Sequence, residues 1–108
     1  MVSRPAIISE KLSEFNKVVR DCLPVKKTLL FGSYARGDFN KDSDIDVAVV
    51  VNEENHLRRI DITSLLFHLA SIIDTRIEPK CIFWDEYITN EPASILSEII
   101  ASGIEVVE

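Results

Sequence analysis

Asp44-Ile45-Asp46 runs without a break into Val47-Ala48-Val49-Val50-Val51, a segment apolar on both faces. Continuous apolarity of that kind predicts a central strand covered on each side, as in a layered α/β domain. Residues two apart on a strand share a face. Asp44 and Asp46 therefore project side by side at the head of a strand that runs into the core. Leaving an unpaired carboxylate buried there costs on the order of several kcal/mol. A divalent cation removes that cost, because hard metals such as Mg²⁺ take carboxylate oxygens and leave positions for phosphate. The alternative is an exposed strand end, with both aspartates capped by backbone N–H groups.

Twelve residues upstream of Asp44, Gly32 follows another apolar run, Thr28-Leu29-Leu30-Phe31. A glycine directly after a buried strand lets the backbone approach an anion closely, with no Cβ in the way. Ser33 adds a hydroxyl and a backbone N–H at the start of a short helical turn, where negative charge is favoured. Arg36, one turn on, reaches the same phosphates or braces Asp38 and Asp42. Gly-Ser is also a common loop dipeptide, and Arg36 could form only a surface ion pair. The turn matches neither the Walker pattern nor the dinucleotide glycine pattern.

Around this centre the sequence predicts one domain, residues 1–108, with no repeat or linker. Ile8, Leu12, Phe15, Val19 and Cys22 fall on one helical stripe, and Pro24 ends that helix. Val25 to Phe31 is a first strand, Ser33 to Arg36 a helical turn, and Asp44 to Val51 a second strand. Ile62, Leu65, Leu66, Leu69, Ile72 and Ile73 form the apolar face of a second long helix. Arg76 to Phe83 is a third strand, interrupted by Pro79. A last helix starts near Asn90 or Glu91 with Pro92, carries Ile95, Leu96, Ile99 and Ile100, and stops at Gly103. Ile104 to Val107 is a short terminal strand. The fold class is α/β, a small mixed sheet flanked by helices.

Two-metal phosphoryl chemistry usually draws on more than two carboxylates. Glu78, on the next strand, is the third acid expected, with Asp74 as the fallback. Its same-face neighbours Arg76 and Lys80 could help hold phosphate charge. An edge strand of alternating charge is the other reading, which Pro79 favours. His68 and His56 are expected to be solvated. Trp84 and Tyr87 are expected to pack, although either could cover a base, and Tyr34 either packs or flanks the site.

A net charge of −6 argues against a nucleic-acid backbone as the main partner, which calls for a basic surface. It does not argue against a mononucleotide, provided local cations are present. No run of about eighteen apolar residues suggests a membrane span, and the first residues lack the apolar core of a secretory signal. A cytoplasmic location is expected. Cys22 and Cys81, the two cysteines, form no metal motif and are both expected as buried thiols.

Gly32-Ser33-x-Ala35-Arg36-Gly37 followed by Ser43-Asp44-x-Asp46 resembles the signature of the minimal nucleotidyltransferases, small members of the DNA polymerase β-like superfamily. The resemblance covers most of the chain. It implies Asp44 and Asp46 as the metal pair, Glu78 at the third-acid position, and Gly32 and Ser33 on the triphosphate. Glu78 stands where the minimal family usually shows aspartate. Mg²⁺, as two ions, and ATP are implied as cofactor and substrate. A HEPN-domain partner is implied too, neutralised by transfer of AMP to one of its tyrosines. Two other readings stand beside this one. One is a catalytically silent antitoxin that acts by contact, and the other is an enzyme modifying a small molecule.

Overall fold

The computed structural model describes residues 6–52, 58–89 and 95–106. The chain runs α1 (Ala6–Cys22), β1 (Val25–Phe31), α2 (Ser33–Arg36), β2 (Ile45–Val51), α3 (Arg59–Ile73), β3 (Ile77–Phe83), α4 (Trp84–Ile88), α5 (Ile95–Ser102) and β4 (Ile104–Glu105). Among the described residues the four strands form one sheet in the order β3-β2-β1-β4. β1 is antiparallel to β2 and to β4, while β2 and β3 are parallel, so the sheet is mixed as expected.

The six apolar residues of β2 are buried because that strand lies inside the sheet, with a layer on each face. Ile45, Val47, Val49 and Val51 join Ile77, Cys81 and Phe83 beneath α1 and α3. Ala48 and Val50 face the other way, with Leu29, Ile82 and Ile99 of α5, and with Trp84 and Tyr87 of α4 packed alongside. That second cover is thinner. It begins at Ala48, one same-face step beyond Asp46, and the acids lie at its open end.

Two polar residues sit in the larger layer. Thr28 Oγ1 donates to Asn16 Oδ1 at 2.6 Å, and Arg20 Nε donates to the same oxygen at 3.2 Å. Pro79 is tolerated because β3 is an edge strand, where a missing ladder N–H is least costly. Part of that edge is covered by Arg59. Its Nη1 donates to the Cys81 carbonyl at 2.8 Å, and its guanidinium lies over the Phe83 ring.

Three expectations are corrected. Cys22 is exposed and only Cys81 is buried, because the stripe of α1 continues into Leu23 once the helix ends. Ile72 is 69% exposed. The buried centre of α3 runs through Ile62, Leu66 and Ala70, which turns Ile72 about 120° away from it. Trp84 to Ile88 forms a helix not foreseen, whose start is secured by Glu86 Oε1 accepting the Phe83 backbone N–H at 2.9 Å. Strand starts at Ile45 and Ile77 differ by one residue from those expected, within the usual uncertainty of element ends. The expected helix start at Asn90 to Pro92 and His56 lie outside the described residues.

Candidate active site

β1 delivers the chain to Gly32 with φ 72° and ψ −152°, a conformation that residues with a Cβ rarely adopt. A β-carbon placed on Gly32 would overlap Asp46 Oδ2 and stand 3.0 Å from Asp46 Cγ. The glycine is therefore required twice, by its backbone angles and by the carboxylate packed against it. The Gly32 carbonyl accepts from the N–H groups of Ala35 and Arg36, closing α2. No side chain caps that turn. The first N–H groups of a helix lack an acceptor within it, so Ser33 stands at an end suited to an anion.

Gly37, at φ 88°, ends α2 with its N–H on the Ser33 carbonyl. Tyr34 is buried and stacks on Phe39 at 4.4 Å, so it packs the motif rather than facing a ligand. Ser43 Oγ accepts the Asn40 N–H at 2.8 Å and tightens the loop leading to Asp44. Arg36 is exposed, with Nε 3.3 Å from Asp38 Oδ2, and its charge also reaches Asp46.

Parallel pairing sets Asp46 directly across from Glu78, and Ala48 across from Lys80. Asp46 thus shares a face and a register position with the third acid expected. Burial lifts the Asp46 carboxyl above its ordinary value of 3.8, the charge of Asp44 adds to the rise, and Arg36 opposes it. Partial loss of water raises Glu78 above 4.5, followed by the charges of Asp44 and Asp46 and a hydrogen bond with Asp44. Three carboxylates therefore share one electrostatic neighbourhood.

Asp74, the fallback, is spoken for. Its two oxygens accept from Arg76 Nη2 at 2.8 Å and Nε at 3.1 Å, and that pairing lowers its pKa. The same contacts draw Arg76 away from a phosphate role, while Lys80 remains exposed on the face of Glu78. His68 is exposed, as expected.

Hard oxygen donors that raise one another's pKa suit a divalent cation. Among the described residues, no three Asp, Glu, His or Cys side chains are gathered closely enough to grip one ion as they lie. The register nevertheless brings Asp46 and Glu78 opposite each other, and the charge of Asp44 acts on both.

Sequence reasoning missed a cleft of ≈ 250 Å³ beside these acids, lined by Asp44 and Glu78 together with Phe67, Ser71 and Thr75. Its signal was an aromatic residue, Phe67, off the leucine stripe of α3. Among the described residues no helix is long and apolar enough to cross a membrane.

A mixed sheet with a glycine turn abutting strand carboxylates on its open face defines a class, the enzymes that handle nucleotide phosphates. Residues 12–100 match the nucleotidyltransferase domain family, and the chain belongs to it. It is a nucleotidyltransferase, and the resemblance to the minimal members of that superfamily holds.

Two relatives from Methanocaldococcus jannaschii have similar sequences. "Putative protein adenylyltransferase MJ0141" is 33% identical over 102 residues, 92% of this chain and 98% of that protein. "Putative protein adenylyltransferase MJ1379" is 35% identical over 71 residues, 66% of this chain and 71% of that one. Two solved structures share the fold. One is described as "a putative nucleotidyltransferase from Sulfolobus solfataricus", with TM-score 0.62, 18% identity, and coverage of 97% of this chain and 89% of that chain. The other comes from a toxin-antitoxin structure with AMP-PNP, with TM-score 0.60, 22% identity, and coverage of 92% and 72%.

Proposed function

We propose that this nucleotidyltransferase moves AMP from ATP to a tyrosine hydroxyl on a partner protein, and that the partner is a HEPN-domain toxin. The observation that carries the reading is the Asp46–Glu78 pairing across β2 and β3, with Gly32 backbone against the Asp46 carboxylate. The relatives named as protein adenylyltransferases and the toxin-antitoxin neighbour agree with it.

Asp44, Asp46 and Glu78 would hold Mg²⁺, in two ions. When bound, the metal neutralises phosphate charge and lowers the pKa of the attacking hydroxyl. The chain's own groups do the rest. Ser33, at the uncapped start of α2, receives the triphosphate, with Gly32 letting the backbone come close. The acceptor oxygen forms a bond to the α-phosphorus as the bond to the α,β-bridging oxygen breaks, and pyrophosphate leaves with the electron pair. Arg36 offsets the charge that develops on the leaving group. Glu78 takes the hydroxyl proton and passes it to water.

Contact alone is the second reading, because among the described residues no three acidic side chains are gathered closely enough to grip one ion as they lie. The charge of −6 would then serve as complementarity for a basic partner. Co-expression with the protein encoded beside this one separates the two. Transfer gives that protein a mass increment of AMP units that disappears with Asp46→Asn. Protection of cells by a folded Asp44→Asn/Asp46→Asn protein, without any mass increment, would establish contact instead.

A further inference from the structure

The acids face two different spaces. Asp46 stands against Gly32 and within reach of the Arg36 charge. Asp44 and Glu78 instead line the ≈ 250 Å³ cleft, whose other wall is the outer face of α3 with Phe67 and Ser71, continuing to Thr75. We infer that this cleft is the acceptor site and that its occupant is a tyrosine side chain of a polypeptide, with its ring on Phe67. The inference rests on the transferase reading given above and adds where the acceptor enters and which residue selects it.

In-line displacement puts the attacking and leaving oxygens on opposite sides of the phosphorus. With the triphosphate on the Gly32–Ser33 turn, the attacking hydroxyl comes from the side away from that turn. The turn follows β1, and the cleft, walled by the start of β3 and by α3, lies across β2 from it. Pockets that enclose drug-sized small molecules run from about 300 Å³ upwards. A cleft of ≈ 250 Å³ suits a single side chain better than a whole small-molecule acceptor.

Phe67 supplies the selectivity. It is 46% exposed although apolar, because the buried line of α3 passes through Ile62, Leu66 and Ala70 instead. Single exposed apolar residues are ordinary on a protein surface. Phe67 differs by its position in the wall of a cleft that also holds two carboxylates. Of the three hydroxyl side chains a polypeptide offers, only tyrosine has a ring to stack on it. Arg76, also in the wall, is neutralised by Asp74, so Asp44 and Glu78 set the charge of the cleft and favour a tyrosine flanked by basic residues.

Backbone amide resonances test this without requiring turnover. N-acetyl-L-tyrosinamide should shift the signals of Phe67, Ser71, Thr75 and Glu78, and N-acetyl-L-serinamide should not. Phe67→Ala, a change at a half-exposed position, should weaken the tyrosine probe about fivefold or more. AMP-PNP with Mg²⁺ should shift Gly32 to Arg36 in both proteins. A tyrosine probe that leaves the cleft signals still, or that binds Phe67→Ala equally well, overturns the inference. Tyrosine binding in the cleft without any nucleotide response at the turn overturns the transferase reading instead, and with it the acceptor role of the cleft.

Discussion

Gly32 and Asp46 are packed so closely that a single added carbon on the glycine would overlap the aspartate carboxylate. The strand-ending turn and the acid of the neighbouring strand are thereby one unit. Gly32→Ala is expected to combine a positive-φ penalty of roughly 1–3 kcal/mol with displacement of Asp46. Thermal denaturation should show a melting temperature lower by several degrees. Transfer should fall further than stability, since a misplacement of about 1 Å can cost on the order of a hundredfold. A variant with full activity would separate the turn from the chemistry.

Asp46 titrates in an unfavourable place, and the sign of its effect can be worked out. Its folded-state pKa lies above 3.8. The folded protein therefore binds more protons than the unfolded chain between 3.8 and the raised value, and stability falls as pH rises through that window. Asp46→Asn removes the charged form and should raise the melting temperature at pH 7 by up to a few degrees in metal-free buffer. The gain should vanish below about pH 3.8, where the wild-type group is protonated in both states. Adding Mg²⁺ should stabilise the wild type and leave Asp46→Asn nearly unchanged. A wild-type melting temperature indifferent to Mg²⁺ at neutral pH would count against a metal site.

Glu78 and Asp74 are separated by their partners. Glu78→Gln is expected to reduce transfer on the order of 10²–10⁴-fold with little loss of stability. Asp74→Asn weakens a pair with Arg76, costing at most about 1 kcal/mol, and leaves turnover close to the wild-type value. The Asp74 pKa is lowered in the fold. Its contribution is therefore present above the ordinary 3.8 and is lost as pH falls through the depressed value. Steady-state rates for the two variants decide which acid serves, and the reverse ranking would reassign the third position to Asp74.

Much of this site was legible because backbone chemistry writes it locally. Gly32 after an apolar run marks a close backbone approach, and the valines after Asp46 mark an inner strand. Asp44, expected beside Asp46 by alternation, instead precedes the strand and lines the cleft with Glu78. The Asp46–Glu78 pairing was only a supposition, because strand register depends on residues far apart in sequence. The cleft escaped notice for the same reason, since α3 and β3 supply its walls jointly. Cys22 was misjudged because the stripe of α1 can step from Val19 by three or by four, and Leu23, four on, takes the buried place. Trp84 to Ile88 escaped because so short a helix gives almost no periodic signal.

Asn16 was invisible as a structural residue, since one polar side chain on a helix reads as solvent-facing. It is 1% exposed, as is Thr28, and the two form a buried hydrogen bond. Removing one partner leaves the other with no route to water, at a cost of about 1–3 kcal/mol. Asn16→Ala should therefore lower the melting temperature by several degrees or more. Thr28→Val, which keeps the shape, strands only the Asn16 oxygen, and Arg20 Nε already donates to that oxygen at 3.2 Å. Thr28→Val should then be the milder change, and the double variant should cost less than the sum of the two. Additive losses in denaturant titrations would mean that the bond contributes no coupling between α1 and β1.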